Sequence, residues 1–175
     1  MKSVYLLTGA PGCGKTTLIR DLINGTSVPA GGFYTQEIRS GATRQGFQII
    51  TLDGRSAPLA KTGIPSPCRV GKYGIDLSGL EEIGVPALKA AALNNYLAVI
   101  DEIGKMELFS DKFKDTVLEL AESGKRVLGT IMLKSHPWAD MLKKKPQVEV
   151  IALSRQSRDR VYGRVLEWLE RGGED

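Results

Sequence analysis

One octapeptide constrains this chain more than any other stretch. Gly9-Ala10-Pro11-Gly12-Cys13-Gly14-Lys15-Thr16 carries glycine, glycine-lysine and hydroxyl at the spacing G-x-x-x-x-G-K-[ST]. A β-prone run, Lys2–Leu7, precedes it, and a helical pattern of Leu18, Ile19, Leu22 and Ile23 follows until Gly25. Glycines permit the positive backbone torsions that turn successive N–H groups inward as a nest. The helix starting near Lys15 adds the positive end of its dipole to the same place. Such a nest accepts phosphate. Lys15 is placed to bring a full charge to β- and γ-phosphates, and the Thr16 hydroxyl to ligate Mg²⁺. Thr17 offers a second hydroxyl to a phosphate or to the backbone, and Cys13 reads as a small residue that fits the loop.

A phosphate loop needs a carboxylate across the site to hold the metal through its water shell. Leu97-Ala98-Val99-Ile100-Asp101 supplies one, an apolar run typical of a strand buried on both faces, ending in an aspartate. Ligands bind beyond the carboxyl ends of strands in open α/β sheets, so Asp101 is expected to face the metal. Glu102 follows at once, placed to polarise an attacking water by analogy with the glutamate-bearing branch of P-loop NTPases. Glu107 is a second candidate for that task, or else a solvated side chain. The pair Asp101–Glu102 tilts the chemistry toward water as the phosphoryl acceptor.

The rest of the chain alternates strand and helix patterns. Gly32–Arg39 and Gly46–Asp53 read as strands around the polar loop 40–45, a long-looped hairpin, and 54–77 reads as irregular. Leu80–Asn95 reads as a helix interrupted or begun at Pro86. Ser110 can cap a helix whose stripe is Phe113, Val117, Leu120 and Ala121. Val127–Leu133 and Gln147–Leu153 are further strands, with a short helix over Pro137–Lys144 between them and an amphipathic helix over Ser157–Arg171 at the end. The fold class expected is α/β: a P-loop NTPase three-layer sandwich with a mainly parallel sheet and an added antiparallel hairpin at about 32–53, one domain over 1–175.

Charge is modest in sum and uneven along the chain, with 24 basic and 20 acidic residues. Residues 96–124 carry 3 basic and 7 acidic side chains, and 125–164 carry 10 and 3. On the last helix, Val161, Tyr162, Val165, Leu166 and Leu169 form the apolar stripe, with Arg160, Arg164 and Arg171 opposite. Arg158 falls inside the stripe at the first turn, where it must meet an anion, either a carboxylate or a bound phosphate. Period two puts Thr35, Glu37 and Arg39 on one strand face, lining the site or forming a solvent-facing edge. His136, before Pro137-Trp138, is expected to cap or pack locally. Aromatic interleaving and helix-turn-helix patterning are missing, so no specific nucleic-acid partner is expected. No apolar run approaches the ~20 residues of a membrane span, and Val4–Leu7 is short for a signal-peptide core. Two cysteines 55 residues apart and one histidine argue against zinc. A monomer in a reducing cytoplasm is the expectation.

Thr8–Thr17, Gly32–Arg39, Arg44–Phe47 and Val99–Leu108 together resemble the THEP-type, or cancer-related, nucleoside-triphosphatases. Val70–Gly74 and Ser154–Asp159 are similar to that family's remaining motifs, although Gln156 and Ser157 stand where Glu and Asn are more usual. The resemblance spans nearly the whole chain. It implies Mg²⁺-dependent hydrolysis of nucleoside 5′-triphosphates such as ATP and GTP to diphosphate and phosphate, slow and broad in base choice. It also implies nucleotide contacts at Gly9, Ala10, Pro11, Gly12, Cys13, Gly14, Lys15, Thr16 and Thr17, and around Leu97, Ala98, Val99, Ile100, Asp101, Glu102, Ile103 and Gly104. Thr16 and Asp101 place the metal, Glu102 or Glu107 aligns water, and Arg158 or Lys105 neutralises the leaving group. Two other classes fit the same residues: a P-loop kinase acting on a small molecule or a nucleic-acid end, and a nucleotide-driven switch.

Overall fold

The computed structural model describes residues 1–94 and 96–172. Among the described residues nine strands form one sheet, in the order β5 (Arg69–Val70), β6 (Tyr73–Ile75), β4 (Ser56–Thr62), β3 (Thr43–Thr51), β2 (Ala30–Ser40), β7 (Leu97–Ile103), β8 (Val127–Ile131), β1 (Val4–Thr8) and β9 (Val148–Ala152). Five of them run parallel: β2, β7, β8, β1 and β9. Strand side chains alternate between faces. Val4 and Leu6 of β1 and Ala98 and Ile100 of β7 pack with α3 (Val85–Leu93), α4 (Asp111–Glu122) and α5 (Pro137–Lys143). Leu7, Leu97 and Val99 pack on the other face with α1 (Lys15–Gly25) and α6 (Arg158–Arg171). Helices on both faces give three layers.

The expected antiparallel hairpin is present and continuous with the core sheet. Its first strand, β2, pairs parallel with β7 and is a member of the core sheet. The antiparallel part begins at β3 (Thr43–Thr51) and continues through β4 (Ser56–Thr62), β6 (Tyr73–Ile75) and β5 (Arg69–Val70). Residues 54–77, expected to be irregular, therefore carry three strands. Their alternation is short and broken by prolines, and pairing with neighbours supplies the order that local pattern does not show. The expected six-residue loop contracts to Gly41-Ala42, because Arg39 and Ser40 pair with Arg44 and Thr43 past a register shift at Ile38. That shift re-aims the hairpin tip.

The helix expected over Leu80–Asn95 begins earlier, with α2 (Leu77–Gly79) capped by the Asp76 side chain, then a π turn over Leu80–Gly84 and α3. Pro86 stands at the start of α3, where its missing N–H costs least; Asn95 lies outside the described residues. Ser110 Oγ accepts from Phe113 N at 3.0 Å, and His136 Nδ1 accepts from Trp138 N, so both act as helix caps. Trp168 joins the buried stripe of α6, stacked on Tyr5 at 4.1 Å with its indole N–H on the Lys2 carbonyl. It anchors α6 to the strand that leads into the glycine loop.

Gly32 fixes how closely β2 meets β7. Its φ is 108°, and it pairs with Val99, whose carbonyl oxygen a Cβ would overlap. Gly32→Ala is expected to destabilise the fold by at least ~2 kcal/mol, read as a lowered denaturant midpoint.

Candidate active site

The glycine loop joins β1 to α1, and Gly12 (φ 76°) and Gly14 (φ 97°) take the positive torsions expected of a nest. Gly9 has its back against Leu153, leaving no room for a side chain there. Lys15 folds over its own loop and donates to the carbonyls of Gly9 at 3.0 Å and Ala10 at 3.2 Å. A cleft of about 580 Å³ opens beside it, lined on this side by Pro11, Gly12, Gly14, Lys15, Thr16 and Thr17.

The cleft floor comes from β7. Against β8 the strand shifts register between Ile100 and Ile103, and Asp101 and Glu102 occupy that break, joined by a cis peptide bond. Leu97, Ala98, Val99, Ile100 and Ile103 are fully buried in the two cores, so from this run only Asp101, Glu102 and Gly104 reach the cleft. Their part is to hold the strand that presents the acids.

Asp101 is 2% exposed. Its Oδ1 accepts from Thr130 Oγ1 on β8 at 2.7 Å, and its carbonyl accepts from Thr35 Oγ1 on β2 at 2.7 Å. Its Oδ2 is buried without a hydrogen-bond partner among the described residues. Burial pushes the Asp101 carboxyl up from its ordinary range, while Thr130, Thr16 and the Lys15 charge oppose that shift. Glu102 is also pushed up, first by burial and then by the neighbouring Asp101 charge. Thr130 went unpredicted; its only signal is a hydroxyl inside an otherwise apolar strand.

Glu107 is not the solvated side chain that one reading allowed, being 4% exposed with Oε2 accepting from Gly104 N at 3.1 Å. A Cβ on Gly104 would stand 2.8 Å from a Glu102 oxygen and 3.0 Å from Glu107, so only glycine lets these acids approach. Burial, then the Glu102 charge, raises Glu107 to about 8, and at neutral pH it carries its proton.

The far wall confirms one of the two readings of the hairpin face. Thr35 and Glu37 line the cleft, whereas Arg39 is held to Glu37 at 2.7 Å. Arg44, Phe47, Val70 and Met106 also line it and were not among the expected site residues; Lys105, which was, joins them. Arg158 does not line it. The anion it meets is Asp21 of α1, with Asp159 at 3.5 Å, so a carboxylate rather than the cleft takes its charge.

The sequence profile of a family described as NTPase matches residues 4–166. This chain belongs to that NTPase family. It is 46% identical over 165 residues to the nucleoside-triphosphatase THEP1 of Thermotoga maritima, covering 94% of each chain. The human cancer-related nucleoside-triphosphatase is 40% identical, with 87% of this chain and 89% of the human one covered. The crystal structure of THEP1 from Aquifex aeolicus superposes with a TM-score of 0.86 at 35% identity, over 97% of this chain and 99% of that one. The solution structure of the human protein gives 0.81 at 36% identity over 98% of both chains. The architecture is thus the P-loop fold of these triphosphatases.

Glu107 makes the fold pH-sensitive. Its folded value near 8 stands above the ordinary 4.5, so the folded state holds a proton that the unfolded state releases. Stability is full below about 4.5 and falls as pH rises through about 8, at a limiting ~1.4 kcal/mol per pH unit. Glu107→Gln keeps the acceptor for Gly104 N and removes this term. Thermal melts of the metal-free protein are expected to match the wild type near pH 5 and exceed it at pH 8.5.

Proposed function

We propose that the protein hydrolyses nucleoside 5′-triphosphates to the diphosphate and phosphate, using Mg²⁺, with all parts supplied by one domain. The observation that carries this is the Asp101 carboxylate, buried across from Lys15 and Thr16 with one oxygen left without a partner. A buried, unpartnered carboxylate oxygen facing a threonine hydroxyl is a hard-oxygen donor set, and it suits Mg²⁺. Thr16 and Asp101 would hold that ion, which when bound neutralises charge on the β- and γ-phosphate oxygens.

The protein's own groups do the rest. Loop amides and the start of α1 bind the phosphates, and Lys15 exchanges its two loop carbonyls for phosphate oxygens. Glu102, which lines the cleft beside Asp101, orients a water and accepts its proton. Glu107, protonated at neutral pH, is already occupied as a base and adds no further negative charge beside the γ-phosphate. Arg158 is tied to Asp21, which leaves Lys15 and Lys105 as the lysines that line the cleft. Contacts made through backbone, lysine and threonine read phosphates rather than bases, which supports broad base choice. Among the described residues no helix is long and apolar enough to cross a membrane. A cytoplasmic monomer remains the proposal.

With γ-labelled ATP and no added acceptor, label is expected in free phosphate, and chelation of Mg²⁺ stops its release. Lys15→Ala is expected to lose tight triphosphate binding. Glu102→Gln is expected to bind nucleotide but turn over at least ~10²-fold more slowly. Unchanged turnover in that variant would move the water-aligning task to Glu107.

A further inference from the structure

The cleft is lined by more than the glycine loop and the acids. Beyond Asp101 and Glu102 it continues between Glu37, Arg44, Phe47 and Val70 on one wall and Lys105 and Met106 on the other. The whole cleft, its glycine-loop side included, measures about 580 Å³. Sheet order sets the polarity of the cleft. The loop follows β1, the acids stand on β7 two strands away, and β2 and β3 lie beyond them. On the reading above, the γ-phosphate end faces Asp101 and Glu102, and the nucleoside leaves the opposite way, toward β9 and α6. The outer compartment therefore lies beyond the γ-phosphorus, on the side from which an in-line nucleophile arrives.

Attack by water needs no walls there, and these walls are built. Glu37 accepts from both Arg39 and Arg44 at 2.7 Å, so two guanidiniums share one carboxylate and a positive charge is left over. Lys105 adds a second from across the cleft. Phe47 is fixed edge-on against Tyr73 at 5.5 Å, with the Arg44 guanidinium 5.3 Å from its ring centre. Val70 and Met106 complete an apolar surface. Cations beside an aromatic and aliphatic wall suit an organic anion that carries a ring.

We propose that this compartment is an acceptor subsite for a small, ring-bearing alcohol that also carries an anionic group, and that the protein transfers the γ-phosphoryl group to its hydroxyl. This inference rests on the triphosphatase reading. The hydroxyl oxygen bonds to the γ-phosphorus while the bond from that phosphorus to the β,γ-bridging oxygen breaks. The hydroxyl proton passes to Glu102, and the electron pair of the broken bond leaves with the nucleoside diphosphate. Nothing is oxidised or reduced. Hydrolysis is the same step with water in the acceptor's place.

The test uses the full chain with Mg²⁺ and γ-labelled ATP, in separate tubes with each of four nucleoside 3′-monophosphates, with glycerol 3-phosphate, which lacks a ring, and with adenosine, which lacks the anion. Label in free phosphate reports hydrolysis, and label on the acceptor reports transfer. At least one nucleoside 3′-monophosphate is expected to take label in excess of its mole ratio to water, and the other two compounds less. Arg44→Met is expected to lower the ratio of transfer to hydrolysis at least ~10-fold and raise the acceptor KM, with Arg44→Lys recovering part. Met106→Glu, on the opposite wall, is expected to give the same selective loss and serves where Arg44→Met fails to fold. Phosphate release with no acceptor labelled in any tube would overturn the subsite and leave the triphosphatase reading standing. Labelled acceptor with a ratio that neither wall variant moves would also overturn it. No label released or transferred in any tube would overturn both readings.

Discussion

A carboxylate with one buried oxygen free of hydrogen bonds is costly, and the central sheet is arranged around holding one. Asp101 is tied through Oδ1 to Thr130 on β8 and through its carbonyl to Thr35 on β2, so three adjacent strands converge on one residue. The fully buried apolar residues before it keep β7 rigid, and the register break beyond Ile100 turns Asp101 and Glu102 into the cleft. Desolvation raises the carboxyl, and the opposing pull of Thr130, Thr16 and Lys15 makes its charge depend on neighbours from β8 and from the start of α1. Glycine loop and acidic strand are thus one electrostatic unit.

The glycine loop and the acidic strand end were legible because each is a local pattern with a single chemical purpose. Gly12 and Gly14 adopt the torsions their residue type permits, and the apolar run before Asp101 can only be a doubly buried strand. The antiparallel extension was not legible. Its strands β4, β5 and β6 are short, interrupted by prolines, and ordered by register against β3 rather than by their own periodicity. Arg44, Phe47 and Val70 stood in stretches that carried the resemblance, but only strand register brings them to the cleft. Helical phase put Arg158 inside the apolar stripe, but phase alone could not tell a carboxylate partner on α1 from a ligand. Glu107 shows the same limit, since burial decides its protonation and burial of a loop acid leaves no periodic trace.

Three acids within a few residues divide their tasks through environment rather than identity. Asp101 is held by hydroxyls, Glu102 carries the charge that burdens its neighbour, and Glu107 yields by keeping its proton. Like charges packed together cannot all ionise, and Glu107, without the hydroxyl and lysine support that Asp101 has, is the one that concedes. Gly104, too small to separate Glu102 from Glu107, sets the distance at which that concession is forced.

The posture of Lys15 gives the loop a threshold. Its ammonium already bonds the carbonyls of Gly9 and Ala10, so an arriving anion enters by trading against contacts the loop makes with itself. A single phosphate, poor in charge and in reach, gains little from that trade. A polyphosphate tail, long enough to meet the amide nest and the Lys15 ammonium together, gains at more than one point. The resting contacts of Lys15 thus set how much an anion must offer before the loop gives them up.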